Sequence, residues 1–141
     1  MAGRVAEAER LYTRILDQDP RNADALHLLG VLAGQSGRAD QAVALIGRAM
    51  SLRPEAAELP SDLGRVLDDA ELPQAAARAY RRALALKPDF AGCWSRLGVV
   101  LGRLGQGASG RAAVARAVTL DPGRAETRAH LALLARAPAT A

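Results

Sequence analysis

Cysteine, aromatic residues and long apolar runs are all scarce in this 141-residue sequence. The single cysteine, Cys93, has no second cysteine for a disulfide and no nearby histidine cluster with which to bind zinc. No apolar run approaches the ~20 residues that span a bilayer, and residues 1–7 lack the apolar core of a secretory signal. We therefore expect a soluble, cytoplasmic chain with no metal, no cofactor and no membrane partner.

Patterns that carry catalytic chemistry are also missing. The two histidines, His27 and His130, lie far apart along the chain, and neither belongs to an H-E-x-x-H pattern. The glycine-rich segment 105–110 lacks the lysine of a phosphate-binding loop. These absences predict a protein that is not an enzyme.

Helix-forming residues are abundant instead. Hydrophobic residues make up 50% of the chain, which is enough to bury a core and to exclude general disorder. Most of them are alanine, leucine and valine, and segments rich in Ala, Leu, Arg, Glu and Gln lie between glycine and proline residues. We predict an all-α fold.

A period of 34 residues runs through the sequence. Four prolines keep this spacing without a slip: Pro20, Pro54, Pro88 and Pro122. Leu-Gly pairs share the period at Gly30, Gly64 and Gly98, and Leu131–Ala132 takes the fourth place. Since glycine has no Cβ, a partner helix can approach closely there, and each proline ends a helix. Such a period is typical of a solenoid built from repeated helix pairs.

The segment Trp94-x2-Leu97-Gly98-x2-Leu101, followed by Val114, Ala117 and Pro122, resembles the tetratricopeptide repeat. The resemblance implies a right-handed superhelical solenoid of helix-turn-helix repeats, with residues 1–141 as a single domain. It predicts eight helices in three full repeats and two half-repeats, divided as 3–22, 23–56, 57–90, 91–124 and 125–136.

The turns and the third repeat depart from the family pattern in places. Glycine at 37 and 105 suits an inner turn that needs positive φ, but Glu71 stands at that place in the second repeat. Near the start of the second repeat, Pro60 stands where the family usually has a bulky residue. Because glycine disfavours helix, we expect segment 105–110 to fray.

In this family the first helices of successive repeats line a concave groove that binds protein or peptide. The resemblance implies these groove residues: His27, Leu28, Val31, Asp62, Arg65, Asp69, Arg96, Val99 and Arg103. One interpretation is that the three arginines bind an acidic peptide through forked hydrogen bonds. The other is that Asp62 pairs with Arg96, and Asp69 with Arg103, as exposed bridges worth ~0 to 1 kcal/mol.

Two more specific partners are disfavoured by the residues present. Only Arg96 matches the clamp with which some family members hold a chaperone's C-terminal carboxylate, and Asp62 would repel that group. A ladder of arginines follows the second helices, at Arg14, Arg48, Arg82 and Arg116. Without aromatic side chains free to stack on bases, this ladder does not predict nucleic-acid binding.

Two alternative functions remain open. The half-repeats at the ends carry leucines and an isoleucine that a neighbouring helix should bury, so two chains could join end to end as a homo-oligomer. The residues predicted for this self-association are Leu11, Ile15, Leu131, Leu133 and Leu134. Segment 22–30 also resembles the helical modules attached to bacterial transferases, which would place any catalysis in another domain.

Overall fold

The computed structural model describes residues 2–136, which form eight α-helices and no β-strand. The helices are α1 (Ala2–Gln18), α2 (Ala23–Gln35), α3 (Ala39–Leu52), α4 (Glu58–Asp69), α5 (Pro73–Leu86), α6 (Ala91–Arg103), α7 (Gly107–Leu120) and α8 (Ala125–Ala135). Within this part of the chain, no helix is long and apolar enough to cross a membrane. The prediction of an all-α helical solenoid is confirmed.

The helices stack as antiparallel pairs along one axis. α2 packs on α3, α4 on α5 and α6 on α7, while each second helix also packs on the first helix of the next pair. First helices touch across repeats as well, α2 with α4 and α6 with α8. These first helices therefore line one face of the solenoid, which we call the concave groove, and α3, α5 and α7 form the outer face.

The three inner turns share one backbone geometry. Gly37 and Gly105 adopt a φ of +79°, and Glu71 adopts +62°. After α2, the amide of Arg38 donates to the carbonyl of Ala33 at 2.8 Å, closing the last turn in a Schellman motif. Equivalent bonds follow α4 and α6. The repeat thus imposes the turn even where glycine is missing, at a cost of roughly 1–2 kcal/mol for Glu71.

The core consists of apolar side chains between paired helices. Tyr80 and Ile46 are fully buried, as their shared repeat position predicts. Cys93 is also fully buried, and its thiol donates to the carbonyl oxygen of Tyr80 at 3.4 Å. Burial raises the pKa of the Cys93 thiol to about 12, so this cysteine is an inert packing residue.

The glycine-rich segment 105–110 includes the start of a helix. Residues 107–110 form the first turn of α7, and Gly107 and Gly110 are buried. A Cβ added to Gly110 would lie 2.5 Å from the carbonyl oxygen of Gly98. Glycine thus lets the two helix backbones touch, and the segment is helical from residue 107 onward. The expected fraying of segment 105–110 stays a prediction.

Candidate functional site

The N-terminal half of the concave groove is held by a charged cluster between α2 and α4. The Nε2 of His27 donates to Oδ2 of Asp62 at 2.6 Å, and Oδ1 of Asp62 accepts from Arg65 at 3.3 Å. Val31 and Gly34 form the apolar part of a shallow depression beside them. Asp62 is therefore engaged within the chain, while the Arg65 side chain stays 44% exposed.

A second charged cluster joins α6 to α8. Arg96 donates to Glu126 at 2.7 Å, and Glu126 also accepts from Arg124 at 3.3 Å. Beside this pair, Ser95 is hydrogen-bonded to Nδ1 of His130. Burial lowers the pKa of His130 from its ordinary value, Glu126 acts in the opposite direction, and Arg96 adds to the lowering. His130 is thus neutral when α8 is docked near pH 7.

Between these clusters, an ion pair connects α4 to α6. The Nη2 of Arg103 donates to Oδ2 of Asp68 at 2.8 Å, and Nη1 lies 2.7 Å from Oδ1 as an ion-pair contact. This charge-assisted contact holds Arg103 at the edge of the groove. Half of the Arg103 side chain stays exposed, so further N–H groups face the groove.

Three contacts between successive first helices join residues 35 positions apart, not 34. His27 bonds Asp62, Asp68 bonds Arg103 and Ser95 bonds His130, each 35 positions apart. Successive helix pairs are rotated as they stack, so a side chain meets its neighbour one position beyond its repeat equivalent. The predicted pairs Asp62–Arg96 and Asp69–Arg103 are therefore wrong.

An apolar pocket of about 330 Å³ opens on the concave side between α6 and α8. It is lined by Val99, Gly102, Arg103, Leu133 and Leu134. A Cβ at Gly102 would come within 2.7 Å of Leu134, so the glycine makes room for that leucine. Leu134 is only 4% exposed, whereas Leu133 is 54% exposed.

The remaining predicted residues are divided between the groove and the ends. Leu28 is exposed on α2, and Asp69 is exposed at the C-terminal end of α4. Leu11, Ile15 and Leu131 are exposed on α1 and α8. Of the other two residues predicted for self-association, Leu133 is an exposed wall of the groove pocket and Leu134 is buried beneath it.

The sequence analysis did not predict the roles of three residues in this site. Asp68 and Glu126 hold the groove arginines, and Gly102 creates the pocket. The 35-residue offset that pairs Asp68 with Arg103 is visible only in the structure, and no local pattern marks the roles of Glu126 and Gly102.

Comparisons with known proteins agree with this architecture. Two sequence profiles, both described as tetratricopeptide repeat, match residues 1–59 and 61–125. The crystal structure of MamA is 26% identical with a TM-score of 0.83, covering 94% of this chain and 78% of that one. The first TPR of Spaghetti (RPAP3), bound to the HSP90 peptide SRMEEVD, is 20% identical with a TM-score of 0.76, covering 84% and 94% of the two chains.

A transferase contains a similar segment. The O-GlcNAc transferase of Thermobaculum terrenum is 32% identical with a TM-score of 0.76 over 82% of this chain. The similarity spans only 22% of the transferase chain. A comparison with curated protein sequences gives no match.

Proposed function

Because the chain belongs to the tetratricopeptide repeat family, whose repeats are in general protein-interaction modules, we propose that it is a non-enzymatic scaffold for a peptide or protein segment. The concave groove formed by α2, α4, α6 and α8 is the proposed binding surface. The observation that carries this proposal is the open apolar pocket of about 330 Å³ between α6 and α8, beside a half-exposed arginine. An apolar pocket with a few polar groups is the usual form of a binding site.

The groove arginines support binding of a segment rather than simple neutralisation of the chain's own acids. Arg65 and Arg103 each pair with a carboxylate on one side and are 44% and 50% exposed on the other. A guanidinium has five N–H donors, so each can also donate to a carboxylate or backbone carbonyl of a ligand. Arg96 is less suited to this role, since Glu126 holds it and it is 33% exposed.

The RPAP3 domain was solved with an HSP90 peptide, but its 20% identity supports a shared fold alone. In this chain Asp62 stands at a clamp position, where it carries a negative charge held by His27. We therefore expect no saturable binding of the peptide SRMEEVD in a fluorescence titration. Binding at micromolar concentrations would contradict the expectation that Asp62 repels the C-terminal carboxylate of this peptide.

A peptide selection tests the groove proposal. Random peptides displayed on phage are selected on the full chain, then tested on two variants. Val31→Lys places a charge in the groove, whereas Ala44→Lys places the same charge on exposed α3 of the outer face. We expect Val31→Lys to weaken the selected peptides and Ala44→Lys to leave them bound. Equal binding to both variants would contradict a concave site.

The exposed faces of α1 and α8 favour a second candidate function. Leu11 is 51% exposed, Ile15 40% and Leu131 43%, although the repeat equivalents of the first two, Leu45 and Ala49, are buried. We propose, as the alternative, that α8 of one copy packs on α1 of another and completes a helix pair. Such head-to-tail contacts build rings or filaments.

The residue at the centre of this contact disfavours close packing. Ala132 takes the place of Gly30, Gly64 and Gly98, where a Cβ would lie 2.7, 2.6 and 2.4 Å from a side chain of the partner helix. The completed pair would therefore be wider than the others. Ala132→Gly should strengthen the association if it forms.

Light scattering across a concentration series tests the alternative. Head-to-tail assembly predicts a mass that rises with concentration, and predicts that Leu11→Asp and Leu131→Asp each give a monomer of 14.8 kDa. A mixture of these two variants should recover a dimer, because each keeps one intact face. A constant monomer mass for the unmodified chain would rule out the alternative.

A further inference from the structure

Charge is unevenly distributed along the helices that line the groove. α2 and α4 together carry five carboxylates and a single arginine, whereas α6 and α8 carry three arginines and one carboxylate. Arg53 pairs with two of these carboxylates, Asp24 and Glu58. Carboxylates still predominate on the helices of the N-terminal half and arginines on those of the C-terminal half, and we call these the acidic half and the basic half of the groove. A uniformly acidic segment would be repelled at one end of the groove.

The acidic half presents one carboxylate that is not used within the fold. Asp69 is exposed at the end of α4 and, among residues 2–136, has no ion-pair partner. Its neighbour Asp68 is occupied by Arg103. Asp69 can therefore accept from a cation of a partner without breaking any internal contact.

The basic half presents the apolar pocket. Leu133 and Val99 are its accessible apolar walls, and Arg103 borders it with donors that Asp68 leaves unused. Its volume of about 330 Å³ admits one large aliphatic or aromatic side chain. An acidic residue of the bound segment, next to that side chain, would contact the guanidinium of Arg103.

Asp69 and the pocket lie near the C-terminal ends of neighbouring first helices. Arg103 borders the pocket and pairs with Asp68, the residue before Asp69. The carboxylate of Asp69 and the pocket are therefore neighbours along the groove, within reach of one short extended segment.

Building on the proposed groove function, we infer that the groove selects a bipolar segment and holds it in one orientation. A lysine or arginine of the segment binds Asp69. A few residues away, a leucine-, methionine- or phenylalanine-sized side chain enters the pocket between Val99 and Leu133. An adjacent acidic residue binds Arg103. The apolar residue anchors the segment, and the two charges fix which end lies over α4 and which over α8.

The test uses peptides selected from a random phage-displayed library on the full chain, then synthesised and measured by fluorescence anisotropy. Leu133→Lys, a substitution at an exposed site, should weaken them about tenfold or more, a loss of about 1.4 kcal/mol. Asp69→Asn should weaken only peptides that contain the basic residue. If the basic residue of the peptide contacts Asp69, replacing that residue by alanine should not weaken binding to the Asp69→Asn variant any further.

The possible results separate this inference from the groove function itself. Peptides that carry the bipolar pattern and lose affinity on Leu133→Lys support it. Peptides that lose affinity on Val31→Lys but not on Leu133→Lys overturn the pocket assignment and leave the groove in place. If no peptide is enriched, or if those enriched ignore every concave substitution, the groove function fails together with the inference.

Discussion

The helix pairs α2–α3 and α6–α7 occupy equivalent places in the repeat but close in different ways. In the first pair, a Cβ on Gly30 would meet the side chain of Ile46 at 2.7 Å. In the second, a Cβ on Gly98 would lie 2.4 Å from a side-chain carbon of Val114 and 2.6 Å from the backbone oxygen of Gly110. Side chains therefore seal both pairs, but in the second pair the two backbones also touch directly.

This difference separates adjustable packing from fixed packing. A side chain can rotate to admit an added methyl group, whereas a backbone carbonyl cannot move without shifting its helix. Gly110 thus makes α6–α7 the less adjustable pair. The pocket at Gly102 is built on this pair, so the proposed anchoring end of the groove rests on the less adjustable support.

The largest expected effect comes from Gly110→Ala. Overpacking typically costs about 1–3 kcal/mol, and we expect the upper part of that range because the added Cβ meets backbone. Gly30→Ala should cost less, since Ile46 can move. Urea unfolding of both variants measures the difference.

Gly47→Ala is the matched control, because a Cβ there has open space within α3. It should stabilise the chain by roughly 0.5–1 kcal/mol, the usual gain over glycine inside a helix. Equal losses for Gly110→Ala and Gly30→Ala would contradict the distinction between the two pairs.

A smaller effect on stability is expected from substitutions of two adjacent leucines on α8. Leu134→Ala removes a buried side chain and should destabilise the docked helix by about 2 kcal/mol, the lower limit for buried leucines, because α8 can readjust. Leu133→Ala should change the free energy of unfolding by less than about 0.5 kcal/mol, as for other surface positions. Hydrogen exchange of the α8 amides measures both. Similar exchange rates in the two variants would contradict the assignment of Leu134 to the core and of Leu133 to the groove wall.

The smallest effect concerns pH and the half-buried His130. Burial lowers the pKa of His130 in the folded chain, so the unfolded chain binds a proton first as pH falls below about 6.5. The docking of α8 should therefore be equally stable at all pH values above about 6.5. It should weaken as pH falls from there toward the lower pKa of His130 in the folded chain. His130→Gln should remove this part of the pH dependence of α8 hydrogen exchange. An unchanged pH profile would show that His130 does not contribute to it.

Much of the fold could be predicted from the 34-residue period. Proline at each repeat boundary and glycine after leucine fix where helices end and where they touch, and both are local properties of the chain. The groove positions of Val31, Arg65 and Val99 follow from the same register.

The partners of groove side chains could not be predicted in this way. They depend on the rotation between successive pairs, which moves the neighbour of Asp68 to Arg103 and leaves Asp69 without an internal partner. That rotation is set by packing throughout the solenoid and not by any single motif. Likewise, only the space left by Gly102 reveals that Leu134 turns inward and Leu133 outward.

The central claim is that partners bind on the concave face. It is tested most directly by an NMR titration of the isotope-labelled chain with a library-selected peptide. We predict that the shifted amides belong to α2, α4, α6 and α8, with the largest changes around Val31, Val99 and Leu133. Changes confined to α3, α5 and α7, or to the exposed face of α1, would contradict the claim.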